Sequence, residues 1–224
     1  MSMAAAAFKN SKGYSMILNW ANRITILRML LIVPFVICML KINDPSISSQ
    51  TQILMRYISM VIFFLMAISD GIDGYLARSK GQVTRLGAFL DPMADKLLMA
   101  CACILLVSEK AGVHGFKLPP TVAVLIIGKD MFLLLGFLMI YFTTANIRVV
   151  SASIGKISTL LQLSMVIAIL IAPEISKFVT GWIWFLRFLW WSAAIAAILA
   201  TLIYIYRGSR YIDEQEKSQK QQVN

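Results

Sequence analysis

One histidine, three cysteines and a charged fraction of only 14% leave this 224-residue sequence short of the usual materials of soluble chemistry. Cys38, Cys101 and Cys103 fall inside apolar runs, with no ligand-like spacing and no even-numbered framework. That excludes a zinc site or a disulfide-stapled fold and leaves them as small buried hydrophobes. His114 stands in a short polar stretch between two apolar runs, where a solvated loop residue is expected. Acidic residues are scarce too, 11 against 21 Lys and Arg, for a net charge of +10. The cations gather at the ends of apolar runs and form no basic stripe interleaved with aromatics. Nucleic acid is therefore not an expected partner, whereas membrane topology and anionic headgroups account for the excess. The lead, 1–15, is polar and weakly basic, without the apolar core and cleavage site of a secretory signal.

What is abundant is apolar surface. Hydrophobic residues make up 59% of the chain, against the ~45–50% usual in soluble domains. They fall in six runs, at 26–42, 53–68, 86–107, 122–142, 154–172 and 182–206. With flanks, each suits a helix of ~17–25 residues crossing a hydrocarbon core ~30 Å thick. The expectation is an all-α integral membrane protein of six transmembrane helices, one domain over 1–224. A lead over 1–22 ends in an interfacial segment, 16–22, anchored by Trp20, and a polar, solvated tail covers 212–224. Trp184, Trp190 and Trp191 read as lipid-facing or packing residues of the last helix. Lys9, Lys12, Arg78, Lys80, Arg85, Arg148, Arg207 and Arg210 outweigh the cations of the alternate loops. By the positive-inside rule, both termini and the loops after helices two and four face the cytoplasm of a multi-pass cell-membrane protein.

Against this background four aspartates stand out: Asp70 and Asp73 after the second run, Asp91 and Asp95 in the third. A carboxylate at membrane depth costs ~2.5–3.5 kcal/mol on insertion scales, so it needs partners. Asp70, Asp73, Gly74 and Ala77 lie three, four and seven residues apart, one face of a helix. Gly87, Asp91 and Asp95 recur every four residues on another, and the turn over 79–85 lets the faces meet. Four carboxylates around one pocket repel, and one or two divalent cations relieve them. Oxygen donors without Cys or His suit a hard ion, Mg²⁺ or Mn²⁺, and a metal pair suits displacement at phosphorus. The small residues leave room for a bulky ligand, and Arg78 offers a fork for a phosphate.

The full pattern, Asp70-x2-Asp73-Gly74-x2-Ala77-Arg78-x8-Gly87-x3-Asp91-x3-Asp95, resembles the signature of the CDP-alcohol phosphotransferase family at every position. The resemblance implies a six-helix membrane fold and a homodimer. It implies that Asp70, Asp73, Asp91 and Asp95 hold two Mg²⁺ ions and that Asp95 is also the general base. Gly74, Ala77, Arg78 and Gly87 would bind the CDP moiety, with Thr84 in the connecting turn close to it. The acceptor alkoxide would displace CMP from a CDP-linked lipid.

Three further stretches bear on the acceptor. Asn22-x2-Thr25-x2-Arg28 resembles the start of the first helix in the phosphatidylglycerophosphate synthase branch. Asn22 and Thr25 could donate to the nucleotide phosphates, or Asn22 could cap the helix while Arg23 and Arg28 fix topology. Gly128-Lys129-Asp130 places a lysine well inside the fourth run, facing a substrate pocket or paired structurally. Gly155-Lys156-Ile157-Ser158-Thr159 resembles a Gly-Lys-x-Lys-Thr stretch of the same branch, with Ser158 in place of its second lysine. Lys129, Arg148 and Lys156 could together receive an acceptor phosphate. The expected reaction is phosphatidyl transfer from CDP-diacylglycerol to sn-glycerol 3-phosphate. Its alternatives are cardiolipin formation with phosphatidylglycerol as acceptor and, from another class, a cation-binding transporter.

Overall fold

The computed structural model describes residues 20–80, 85–143 and 153–223. Side chains at 20–22, 70–80, 85–89, 91, 137, 140–143, 153, 154 and 207–223 lie outside the description. Among the described residues there are helices and no strand. They are α1 (Trp20–Lys41), α2 (Ser49–Lys80), α3 (Arg85–Val107), α4 (Pro120–Thr143), α5 (Ser153–Leu170), the short α6 (Ala172–Ile175) and α7 (Trp182–Val223). Over the described residues, three contain segments long and apolar enough to cross a membrane: Arg23–Lys41, Ser49–Ser69 and Trp182–Tyr206. Gly155–Leu170 is apolar but shorter.

The chain divides into two compact units, residues 1–117 and 118–224. In the first, α1 packs against both α2 and α3. Its buried stripe, Thr25, Arg28, Ile32, Phe35, Met39 and Ile42, steps by threes and fours as a helix face must. Phe35 meets Phe63 of α2 with ring centroids 5.7 Å apart. Leu98, Met99, Ala102 and Cys103 make the buried side of α3. The opposite face of α1, with Leu27, Leu30, Val33 and Ile37, is exposed and apolar. Such a surface is a liability in water and at ease in lipid.

Contacts at either end of α1 orient the three helices. Near its start, Arg28 Nε donates to Ser69 Oγ of α2 at 3.4 Å. Past its end, Asn43 Nδ2 donates to the carbonyl oxygens of Gly112 at 2.7 Å and Glu109 at 3.3 Å, just beyond α3. Hence α1 runs parallel to α3 and antiparallel to α2. The start of α1, the end of α2 and the start of α3 share one end of the unit.

In the second unit α7 packs against α4 and α5. Its inner face is built from small residues, Ala193, Ala194, Ala197 and Ala200, which let helices approach closely without a polar group to satisfy. Gly155 serves the same end on α5, since a Cβ there would lie 2.7 Å from Tyr204 Oη of α7. The tryptophans divide: Trp190 is 5% exposed, whereas Trp184 is 69% exposed and lies under the Arg187 guanidinium at 4.9 Å. Beyond Tyr206 the helix continues to Val223 through a Glu-, Gln- and Lys-rich segment. Asp213–Lys217 and Glu216–Lys220 stand there at the four-residue spacing that favours helix.

Candidate active site at the end of the first unit

Helix α2 is 32 residues long, roughly 48 Å at 1.5 Å per residue, and its described side chains, up to Ser69, make a segment apolar enough to cross a membrane. Asp70 is the next residue. The motif therefore occupies the last turns of an unbroken helix. Asp70, Asp73, Gly74 and Ala77 keep their one-face register on that helix to Lys80, and Arg78 follows within it. Helix α3 resumes at Arg85, so Gly87, Asp91 and Asp95 keep their four-residue register too. Of the turn expected over 79–85, residues 81–84, Thr84 among them, lie outside the described residues, while 79 and 80 belong to α2 and 85 to α3. The side chains of Asp70, Asp73, Gly74, Ala77, Arg78, Gly87 and Asp91 lie outside the description, as does that of Asn22 at the start of α1.

Asp95 is described. It is partly buried, and its Oδ2 lies 3.0 Å from Lys96 Nζ. Sequence reasoning passed over Lys96, although adjacency to the last aspartate was a signal. Thr25 is fully buried on the core stripe of α1. Arg28, one turn on, is 2% exposed, so this cation serves the interior rather than the headgroup region. Its register, three residues after Thr25 and four before Ile32, was the available signal.

As ligands, four carboxylates with no Cys or His between residues 70 and 95 would suit magnesium. Among the described residues no three potential ligands gather, three of the four aspartate side chains lying outside them.

The acceptor candidates belong to the second unit. Lys129 is buried, its Nζ 2.9 Å from Asp130 Oδ1 and donating to Ser158 Oγ of α5 at 3.3 Å. Gln162 Nε2 donates to the same hydroxyl at 3.4 Å, so α4 and α5 are joined by a buried polar cluster. Lys156 is exposed on the other side of α5, and Arg148 lies outside the described residues. The described side chains thus bring Lys129 to Ser158 and leave Lys156 on a different face.

The family model for CDP-alcohol phosphatidyltransferase matches residues 18–206. The chain belongs to the CDP-alcohol phosphatidyltransferase family. The match reaches into both units and covers the four aspartates and the acceptor candidates. Among its relatives are proteins named CDP-diacylglycerol--glycerol-3-phosphate 3-phosphatidyltransferase. The one from Bacillus subtilis is 33% identical over 156 residues, 68% of this chain and 77% of that protein. The Rickettsia bellii protein is 34% identical over 145 residues, 65% of this chain and 71% of its own. That from Pseudomonas fluorescens is 39% identical over 114 residues, about half of either chain (51% and 52%).

Proposed function

We propose that this phosphatidyltransferase moves the phosphatidyl group of CDP-diacylglycerol to sn-glycerol 3-phosphate, forming phosphatidylglycerophosphate and CMP. The observation that carries the reading is the unbroken four-aspartate motif in a chain related to enzymes of that name. The acceptor hydroxyl oxygen bonds to the lipid-bearing phosphorus of the diphosphate. The bond from that phosphorus to the CMP oxygen breaks, and CMP leaves with the electron pair. Asp95, beside Lys96, accepts the hydroxyl proton. Asp70, Asp73, Asp91 and Asp95 hold two Mg²⁺ or Mn²⁺ ions, which when bound offset the charge of the diphosphate. Gly74, Ala77 and Gly87 leave space for the nucleotide, Arg78 pairs with phosphate, and Asn22, Thr25 and Thr84 line the CDP side. Lys129 anchors the acceptor phosphate, with Arg148 and Lys156 drawing it in.

The same reading makes this a six-span protein of the cell membrane, acting as a homodimer, with active site and termini on the cytoplasmic side. Helices α3 and α4, 23 and 24 residues long, have the length for it. The motif follows directly on the apolar run 53–68, a placement that suits an enzyme meeting water-soluble acceptors. A transporter would spread its carboxylates along the bilayer path.

The test is CMP release from CDP-diacylglycerol by detergent-purified protein, with and without Mg²⁺, across a panel of acceptors. Metal-dependent release with glycerol 3-phosphate is expected. Release with phosphatidylglycerol alone would reassign the product to cardiolipin. No metal-dependent release with any acceptor would remove the transferase reading.

A further inference from the structure

Arg28 occupies a position where the fold calls for a hydrocarbon side chain. Its neighbours on the stripe, Ile32, Phe35 and Met39, fill the interface that α1 makes with α2 and α3. A guanidinium 2% exposed at such a place has given up its water. Its Nε donates to Ser69 Oγ, and Ser69 Oγ donates its own hydrogen to the Met66 carbonyl at 2.9 Å. The serine hydroxyl is therefore fixed to the backbone of α2 and can only accept from Arg28. The arginine grips α2 at one defined turn. Ser69 is the residue at which that grip is made. The negative charge of this part of the chain begins at the very next residue, Asp70.

We infer that Arg28 is a positioning residue for the aspartate cluster. Through Ser69 it sets the height and rotation of the turn that starts the Asp70–Asp73 pair. Its charge offsets part of the mutual repulsion of the carboxylates before metal arrives. The inference rests on the reading of those aspartates as metal ligands. It adds a component from α1 that the motif on α2 and α3 does not contain. It also separates Arg28 from Arg23, which is exposed five residues earlier on the same helix.

Charge and geometry are separable in the full-length protein in detergent. Melting is followed in EDTA and in saturating Mg²⁺, beside steady-state kinetics with both substrates. Arg28→Met removes the charge, so its melting temperature in EDTA falls. Mg²⁺ then raises it by several degrees more than in the wild type, because metal relieves a larger repulsion. Arg28→Lys keeps the charge and loses the Nε donor. Its response to Mg²⁺ stays that of the wild type, while kcat drops roughly tenfold or more and neither KM moves beyond about twofold. Ser69→Ala shows the same split in smaller measure.

An arginine that merely packs would cost Arg28→Met the same number of degrees in EDTA and in Mg²⁺ and would leave kcat unchanged in Arg28→Lys and Ser69→Ala. That pattern overturns the inference. Should Arg28→Met fail to fold in either condition, kcat in the two milder variants decides alone. A wild type that neither responds to Mg²⁺ nor releases CMP is a different failure. It removes the metal reading itself, and it is visible before any variant is made.

Discussion

Lys129 and Asp130 are consecutive residues of α4, and their side chains meet at 2.9 Å with both almost wholly buried. Removing one member of such a pair leaves a buried charge without its neighbour, at a cost of about 3–5 kcal/mol. Replacing both is far milder. Lys129→Met alone should lower the melting temperature sharply, while Lys129→Met/Asp130→Asn should melt close to the wild type. If Lys129 anchors the acceptor phosphate, the double variant should still show a raised KM for glycerol 3-phosphate, by roughly tenfold. Its KM for CDP-diacylglycerol should not change. A double variant with both constants intact would assign the pair to structure alone.

Gly155 and Tyr204 give a second test. A methyl group at residue 155 would sit 2.7 Å from the phenol oxygen, whereas the ring carbons stand off at 3.6 Å. Gly155→Ala should therefore destabilise by about 1–3 kcal/mol through overpacking. In a Tyr204→Phe background the obstructing oxygen is gone, and the same substitution should be nearly neutral. Equal losses in the two backgrounds would mean that the helix propensity of residue 155, not the contact, governs the result.

Asn43 ties the turn after α1 to the loop after α3, 66 and 69 residues away in sequence. Asn43→Ala should cost about 1–3 kcal/mol, since two carbonyl oxygens lose their donor. Limited proteolysis in the 109–117 loop should accelerate. Unchanged cleavage would show the loop to be held by other means.

Two carboxylates at that end carry a pH signature. Lys41, hydrogen-bonded to Asp44 with help from Ser46, holds the Asp44 carboxyl well below the usual range. Lys117 does the same for Glu109. A depressed folded-state pKa contributes stability that is present above the unfolded values, ~3.9 and ~4.3. It is lost as pH falls through the folded ones. Melting measured from pH 5 down to 3 should decline more steeply in the wild type than in Lys41→Met/Lys117→Met. Both groups are solvent-exposed, so the difference should be shallow and should shrink in high salt.

The register of the motif was legible because its information is local. The aspartates announce themselves by being carboxylates beside apolar runs, and their register needs only a helix to be realised. Arg28 was not legible in the same way. As an arginine near a helix start it fits the positive-inside rule, and only α2 packed against its face shows it to be interior. Lys129 could be read as buried, but its attachment to Ser158 depends on where α5 lies, and no spacing within α4 encodes that. The tryptophans of α7 follow suit: Trp190 and Trp191 are neighbours, and rotation of one residue sends the first inward and the second outward.

The continuity of α2 has a consequence for how such a chain can change. The stretch apolar enough to cross a bilayer and the turns that carry Asp70 and Asp73 are one continuous helix. Each residue inserted in the span would lift the carboxylates about 1.5 Å and swing them about 100° around the axis. A single insertion would thus turn them off their present bearing, and about seven would be needed to restore it, some 10 Å higher. For the four aspartates to act together as proposed, the span length has to meet an angular constraint as well as membrane thickness. A shift to a thicker membrane has to be met by tilt or by the other helices, leaving this one at its present length.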